Sequence, residues 1–335
     1  MQEKKILVIG GSGYIGRVVI KDLIKDDFKV TNVDLKIYPD QNQNLEFQNR
    51  NEIFFKIDLR NTSALEEYLK DNDYVVILGG LVGEPITNKY LDLSKSINEN
   101  GIINLIDSCD NLKNLKNLIF ISTCSNYGIT DKTELVNEDH VLKPLSHYAK
   151  AKVKIEKHLL SKKNVSYAST VLRFATAFGL SPRMRFDLTV NHFCYSMFKN
   201  CQIEVYDADT WRPYCHVKDF SRLIIQVIKS DINKVDKRVF NAGSNKNNFT
   251  KEGIVNLIHK KIPEAKIILK KGGVDRRDYR VSFEKVKNEL NFEAKYSVEN
   301  GIEEIIDTFK SDIKNFLKED ALKIRGNYNI LEHVK

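Results

Sequence analysis

The sequence predicts an α/β protein built on a doubly wound parallel sheet, with a smaller lobe interleaved into its second half. Three observations carry this. Short apolar runs alternate with helix-period stretches, the first run breaks into a glycine-rich turn, and after about Gly179 the rhythm yields to Arg, Pro, aromatic and turn residues. Short apolar strands alternating with helices imply right-handed βαβ units, and therefore a parallel sheet covered on both faces.

The first strand is Ile6 to Ile9, within Lys5-Ile6-Leu7-Val8-Ile9, and it passes straight into Gly10-Gly11-Ser12-Gly13-Tyr14-Ile15-Gly16. A helix is predicted from Arg17 to Lys25. Gly10 suits a tight turn, Gly13 places no Cβ in the way of a phosphate, and Gly16 lets the helix pack on the strand. The unpaired N–H groups at that helix start attract negative charge. A second strand, Lys29 to Val33, ends at Asp34, 18 positions beyond Gly16. A carboxylate there accepts both ribose hydroxyls of an adenosine and repels a 2′-phosphate. The pattern points to NAD, although Lys36 weakens the exclusion of NADP.

Further strands are predicted at Ile53 to Ile57, Tyr74 to Leu78, Leu118 to Ser122 and Ser166 to Leu172, with helices at Ala64 to Leu69, Ile97 to Cys109 and Tyr148 to Leu160. The glycine loop, Asp34, Asp58, Gly79-Gly80 and Ser122-Thr123 all fall at carboxyl ends of strands, where ligands of such Rossmann sheets bind. Phe240-Asn241-Ala242-Gly243 returns to strand character. Residues 1–179 with parts of 215–245 are therefore assigned to the dinucleotide-binding domain, 180–214 and 245–310 to a substrate-binding lobe, and 311–335 to a charged tail.

Composition excludes several classes. The chain has 335 residues, 42% of them hydrophobic, enough for a substantial core. No apolar run approaches the roughly 20 residues of a membrane span. The glycine loop begins where a signal peptide would stand, and five cysteines without CxxC spacing fit reduced thiols, so a cytoplasmic protein is expected. The net charge of +8 is dispersed among Asp, Glu and Asn, without the basic block expected of a nucleic-acid binder. The seven histidines form no metal-ligand cluster; His216 reads as a structural hydrogen-bonder and His147 as a helix-start residue.

The chemistry centres on His147-Tyr148-Ala149-Lys150-Ala151-Lys152. Tyr148 and Lys152, four apart on a helix, share a face. A phenol with a pKa near ~10 is a poor base at neutral pH, but a neighbouring ammonium and an oxidised nicotinamide both favour its phenolate. Just upstream, Phe120-Ile121-Ser122-Thr123-Cys124-Ser125-Asn126-Tyr127-Gly128 places hydroxyls at a strand end, able to hold a substrate hydroxyl or carbonyl opposite Tyr148.

With these motifs, and with Asp58-Leu59-Arg60, Asn98-Glu99-Asn100-Gly101 and Arg212-Pro213-Tyr214-Cys215-His216-Val217, the chain resembles extended short-chain dehydrogenases/reductases of the NAD-dependent epimerase/dehydratase family, from about residue 4 to 310. The resemblance implies that Tyr148, Lys152, Thr123 and Asn98 serve catalysis. NAD would lie against Gly10, Gly13, Tyr14, Ile15, Gly16, Asp34, Asp58, Leu59, Gly79, Gly80, Ser122 and Ala175, besides Tyr148 and Lys152. The family implies nucleotide-diphosphate sugars as substrates, held here by Thr123, Arg183, Arg185, Asn191, Arg212 and Arg277. Which of Arg276, Arg277 and Arg280 points inward stays open.

Two departures narrow the reaction. The 4,6-dehydratases of the family carry Asp-Glu after the catalytic Thr, where Cys124-Ser125 stand here, and many 4-keto reductases take NADPH, which Asp34 opposes. The expectation is NAD-dependent oxidation of one sugar hydroxyl, at C4, for bacterial surface polysaccharide. The stretch Leu172 to Gly179 and Ser181 to Asp187 resembles surface-sugar enzymes, most narrowly GDP-heptose 4-dehydrogenases of capsule synthesis. A 4-epimerase, a 4-keto reductase and a catalytically silent NAD sensor or scaffold are the alternatives. Apolar residues at i, i+3 and i+4 of Ile97 to Cys109 and Tyr148 to Leu160 predict a second buried face, and with it a homodimer of the kind the family forms.

Overall fold

Lys5–Ile9 (β1) shows how the sheet is made: Ile6 and Val8 enter one apolar cluster, Leu7 and Ile9 the other, and all four are buried. Side chains alternate across a strand, so a run apolar at every position needs cover on both sides. A computed structural model describes residues 4–38, 51–131, 133–312 and 325–331. After β1 come α1 (Tyr14–Lys25), β2 (Lys29–Val33), β3 (Glu52–Phe55), α2 (Thr62–Lys70) and β4 (Tyr74–Ile77). Next are α3 (Glu84–Lys89), α4 (Leu91–Ser94), a π-helical stretch Lys95–Gly101, α5 (Ile102–Asp107), β5 (Asn117–Thr123), a 3₁₀ turn Cys124–Tyr127, α6 (His147–Ser161) and β6 (Ala168–Phe174).

The second half contains β7 (Thr176–Phe178), α7 (Thr189–Asn200), β8 (Gln202–Tyr206), β9 (Trp211–His216), α8 (Val217–Lys229), α9 (Ile232–Val235), β10 (Arg238–Ala242), β11 (Asn248–Thr250), α10 (Lys251–His259), β12 (Lys266–Lys270), α11 (Glu284–Leu290) and α12 (Val298–Ser311). Seven strands form one sheet in the order β10-β6-β5-β4-β1-β2-β3, every pairing parallel. Two small sheets, β11-β9-β7 and β12-β8, lie outside it. α7, α10 and α12 share a third apolar cluster with Phe178, Phe186 and Tyr214, which also takes in Tyr14 and Val18 of α1.

Some expected boundaries move. α1 begins at Tyr14, three residues earlier than expected, because the glycine loop turns directly into the helix at Gly13. β6 begins at Ala168 and runs to Phe174. The helix expected over Ile97 to Cys109 starts in α4 and widens into the π-helical stretch. Asn98 on that stretch bonds both backbone groups of Leu81, and a Cβ on Gly80 would meet its Oδ1 at 2.6 Å. Within the segment assigned to the lobe, Tyr279, Val281, Phe283, Val286, Leu290 and Phe292 pack instead in the cluster under the large sheet.

The apolar second face expected of the two dimer helices is not presented. Ile97, Ile102, Leu105, Ile106, Ile155 and Leu159 are buried within the chain. The outward side of α6 carries Lys150, Lys154 and Lys157, and Lys154 pairs with Glu99. No helix among the described residues is long and apolar enough to cross a membrane.

Candidate active site

Beyond the carboxyl ends of β1, β2, β4 and β5 opens a cleft of about 720 Å³. It lies where the strand order reverses, between β1 and β4, the crevice that open α/β sheets use for ligands.

The cofactor half is a backbone construction. Gly10 has φ of +86°, and a Cβ there would stand 2.5 Å from the backbone of Gly79, so the β1 and β4 loops touch only because position 10 lacks a side chain. A Cβ on Gly16 would meet Gly10 O and Gly11 at 2.6 Å, which fixes how closely α1 approaches the loop. The helix starts at Gly13 with no side-chain cap and no acid in its first turn, leaving its N–H groups for an anion. Asp34 accepts from Ser12 N (3.0 Å) and Lys36 N (2.7 Å) while burial raises its pKa. This cradle, a bare glycine turn and an open helix start with a carboxylate beside them, fits a dinucleotide with an unphosphorylated ribose. Asp58 lines the cleft too, with its carboxylate committed to Arg60, whose Nη2 lies 2.6 Å away.

α6 delivers the reactive pair because Ser146 caps it, accepting from Ala149 N, two residues before Tyr148 starts its course along the cleft. Tyr148, Lys152, Thr123 and Ser122 all line the cleft. Lys152 Nζ lies 5.7 Å from the Tyr148 ring centre and donates to Ile121 O at 2.6 Å. Burial pushes the Tyr148 phenol up to about 12, and the charges that oppose this are Arg185 and Arg277. Burial also pulls Lys152 down to about 7, against the attraction of Glu156. The expected lowering of the phenol pKa by Lys152 is therefore not what the protein groups alone produce; desolvation disfavours the charged form of both groups. Behind them Glu156 pairs with Arg173 at 2.8 Å in a buried network with Asn126 and the Ser122 hydroxyl.

The substrate half is made of ion pairs. Arg277 donates to Ser125 Oγ (2.8 Å) and pairs with Asp275 (2.8 Å) and Glu84 (3.3 Å); Arg212 shares Asp275 at 3.0 Å. Arg276 is exposed and the Arg280 guanidinium lies on the Trp211 ring, so Arg277 is the inward one of the three. Cys124, in the position of the first dehydratase acid, is turned away and donates to Arg173 O.

Two expected site residues stand outside the cleft lining. Asn98 spends its amide on Leu81 and on Ser94 Oγ, so it shapes the β4 loop. Asn191 is wholly buried, donating to Tyr14 Oη and Arg185 O and accepting from Gly179 N; with the Tyr14 hydroxyl on Gly179 O it braces the lobe against α1. Both Ser122 and Thr123 line the cleft, but the Ser122 hydroxyl donates to Glu156, whereas among the described residues the Thr123 hydroxyl only accepts, from Ser125 N, and keeps its proton to donate. Arg183 lies at the cofactor end, 4.6 Å above the Tyr38 ring and close enough for its charge to act on Asp34. His216 caps α8, accepting from Lys218 N. Sequence reasoning missed Tyr38, Glu84, Lys251, Asp275, Asn327 and Tyr328, which also line the cleft. Glu84 follows the Gly79-Gly80 strand end closely enough to have been found by the strand-end rule; Asn327 and Tyr328, in a charged tail, gave no such signal.

Known proteins agree with this architecture. An uncharacterized protein of Methanocaldococcus jannaschii is 28% identical over 334 residues, covering 92% of this chain and 97% of its own. The UDP-glucose 4-epimerase of Lactobacillus helveticus is 29% identical over 53% of each chain. The fold matches UDP-glucuronic acid 4-epimerase from Bacillus cereus, solved with UDP-glucuronic acid and NAD, at a TM-score of 0.82 and 24% identity, covering 92% of this chain and 99% of that one. It also matches dTDP-glucose 4,6-dehydratase from Bacillus anthracis, in complex with NAD, at 0.78 and 23%, covering 92% and 97%. The NAD dependent epimerase/dehydratase family model covers residues 6–243, from the glycine loop through the Tyr148/Lys152 helix to β10, and the chain belongs to that family, with NAD as its cofactor.

Proposed function

We propose that this enzyme oxidises the C4 hydroxyl of a nucleotide-diphosphate sugar, in the synthesis of a bacterial surface polysaccharide. The observation that carries the reading is the convergence, in one cleft, of the NAD cradle, Tyr148 with Thr123, and the Arg212/Arg277 pair. NAD, when bound, supplies the hydride acceptor and a positive charge next to the phenol. With that charge favouring its phenolate, Tyr148 Oη takes the hydroxyl proton and Thr123 Oγ1 orients the sugar oxygen. Lys152, pinned on Ile121 O, stands beside the Tyr148 ring to hold the nicotinamide ribose. Arg212 and Arg277 present planar guanidinium forks suited to a diphosphate.

The carboxylates of the cleft outside the cofactor cradle, Glu84, Asp275 and Asp187, are engaged by Arg277 or Arg185, and positions 124 and 125 hold no acid. That supports hydride chemistry at one carbon over elimination. Arg277, the diphosphate donor, is bonded to Ser125, two residues from Thr123; a diphosphate anchored that close to the reacting hydroxyl leaves the sugar little room to rotate, which favours net oxidation over epimerisation. The second reading, a 4-epimerase, draws support from the relatives, several of which are named 4-epimerases. Incubation with UDP- and GDP-sugars decides between them: reduced nicotinamide should accumulate with a 4-keto product, whereas inversion at C4 without added acceptor would establish the epimerase. The homodimer rests on the family resemblance alone, and a monomer by light scattering at micromolar concentration would refute it.

A further inference from the structure

Residues 325–331 run across the cleft at its cofactor end and tie three separate parts of the chain together. Phe186 N, in the lobe, donates to Arg325 O at 2.7 Å, and Leu331 N donates to Ile37 O, just past Asp34, at 2.9 Å. Between these ends Asn327, 5% exposed, accepts from Arg183 Nη1 at 2.9 Å and donates to Val82 O at 3.0 Å. Lys89 of α3 donates to Asn329 Oδ1 at 2.6 Å, and Ile330 is buried in the apolar cluster of Val33 and Tyr38. Asn327 and Tyr328 face the cleft.

The arrangement converges on Arg183. Its guanidinium is stacked on Tyr38 and held from the side by Asn327, and its charge reaches Asp34, the carboxylate placed for the adenosine ribose. A guanidinium fixed there faces the anionic adenosine-diphosphate half of a dinucleotide. An arginine loses much rotamer freedom when it is ordered; a buried amide that orders it beforehand lowers the cost of binding. The same amide, through Val82 O, ties the β4 loop to the lobe, and both bonds would have to open for a dinucleotide to pass this edge.

We propose that the 325–331 strap retains the cofactor, with Asn327 as the positioning residue that sets Arg183 over the adenosine half of NAD. The strap makes dissociation of the dinucleotide slow and leaves the sugar end unaffected. This does not depend on which sugar is oxidised or on the fate of the hydride, because it is read from cofactor binding alone.

The experiment is stopped-flow displacement of NADH from the full chain, followed by nicotinamide fluorescence, in native protein, Asn327→Ala and Asn327→Asp. Loss of a charge-assisted bond should speed NADH dissociation about 10-fold in Asn327→Ala. Asn327→Asp keeps an acceptor for Arg183 but loses the donor to Val82 O, so its rate should fall between those of native protein and Asn327→Ala, while the melting temperatures of the two cofactor-free variants stay together. A native dissociation rate in Asn327→Ala would overturn the proposal. So would a rate in Asn327→Asp as fast as in Asn327→Ala, since Arg183 would then not be what the side chain positions.

Discussion

The two halves of the cleft are built by different means. The cofactor half is mostly backbone: two loops that touch at Gly10 and Gly79, an open helix start at Gly13, and one carboxylate, Asp34, held by two backbone N–H groups. The substrate half is mostly side chain: Arg277, Arg212, Asp275 and Glu84 neutralise one another around Ser125. Backbone recognition needs no rotamer to be ordered and follows from local sequence. A side-chain constellation must be assembled from distant segments, and its charges must exchange partners when an anion arrives. The first kind of site is rigid and general; the second is adjustable and carries the identity of the substrate.

The largest break in this comparison comes at the junction of the halves. Tyr148→Phe keeps the packing ring but removes the proton acceptor, so turnover should fall by at least ~100-fold while NAD still binds. Residual activity above about a tenth of native would remove Tyr148 from the role of base. Thr123→Ala, which deletes one positioning bond, should cost less.

Arg277→Ala tests the substrate half alone. It removes the donor proposed for the diphosphate and leaves Asp275 and Glu84 without their shared partner. The KM for a sugar nucleotide should rise about 10- to 100-fold, with the affinity for NAD unchanged. An equal loss of NAD affinity would show that the two halves are not separable in the way the geometry describes.

The contrast also explains what could be read from sequence. Gly10, Gly13, Gly16, Asp34, Tyr148 and Lys152 were legible because a strand end or a helical turn fixes their spacing. Asn191 and Asn98, expected at the site, do not line the cleft: each has the right type in the right neighbourhood, but its side chain bonds backbone groups, at Gly179 and Arg185 for one and at Leu81 for the other. Arg183 was expected to bind substrate; contacts far away in sequence, with the Tyr38 ring and Asn327, set it at the Asp34 end of the cleft. Asn327 pairs across 144 residues with Arg183 and 245 with Val82, in a stretch with no periodicity to betray it.

Asp34→Ala is the matching test of the cofactor half. The substitution removes the repulsion of a 2′-phosphate and frees Ser12 N and Lys36 N, the two donors its carboxylate now occupies. The preference for NAD over NADP should narrow about tenfold, read as the ratio of the two dissociation constants. Native protein that binds NADP as tightly as NAD would show that Asp34 does not read the ribose.

The last effect expected is on stability and not on turnover or binding: a pH dependence at Lys152. Burial holds its folded-state pKa at about 7, whereas the unfolded chain keeps the ordinary value near ~10.4. Between those values the unfolded state binds a proton that the native state does not, so the stability of the native fold rises with pH across that window. The penalty is complete below about 7 and gone above the unfolded value, with a slope of about 1 kcal/mol per pH unit between. Lys152→Met fills the same space without a proton to lose, so it removes this dependence while other titrating groups act equally on both proteins. Urea unfolding of the cofactor-free proteins at several pH values from 7 to 9 measures the difference. The advantage of Lys152→Met over native should be greatest at pH 7 and shrink steadily towards pH 9. Parallel stability curves would mean that Lys152 is charged in the folded chain, with an ammonium already beside Tyr148 before any cofactor binds.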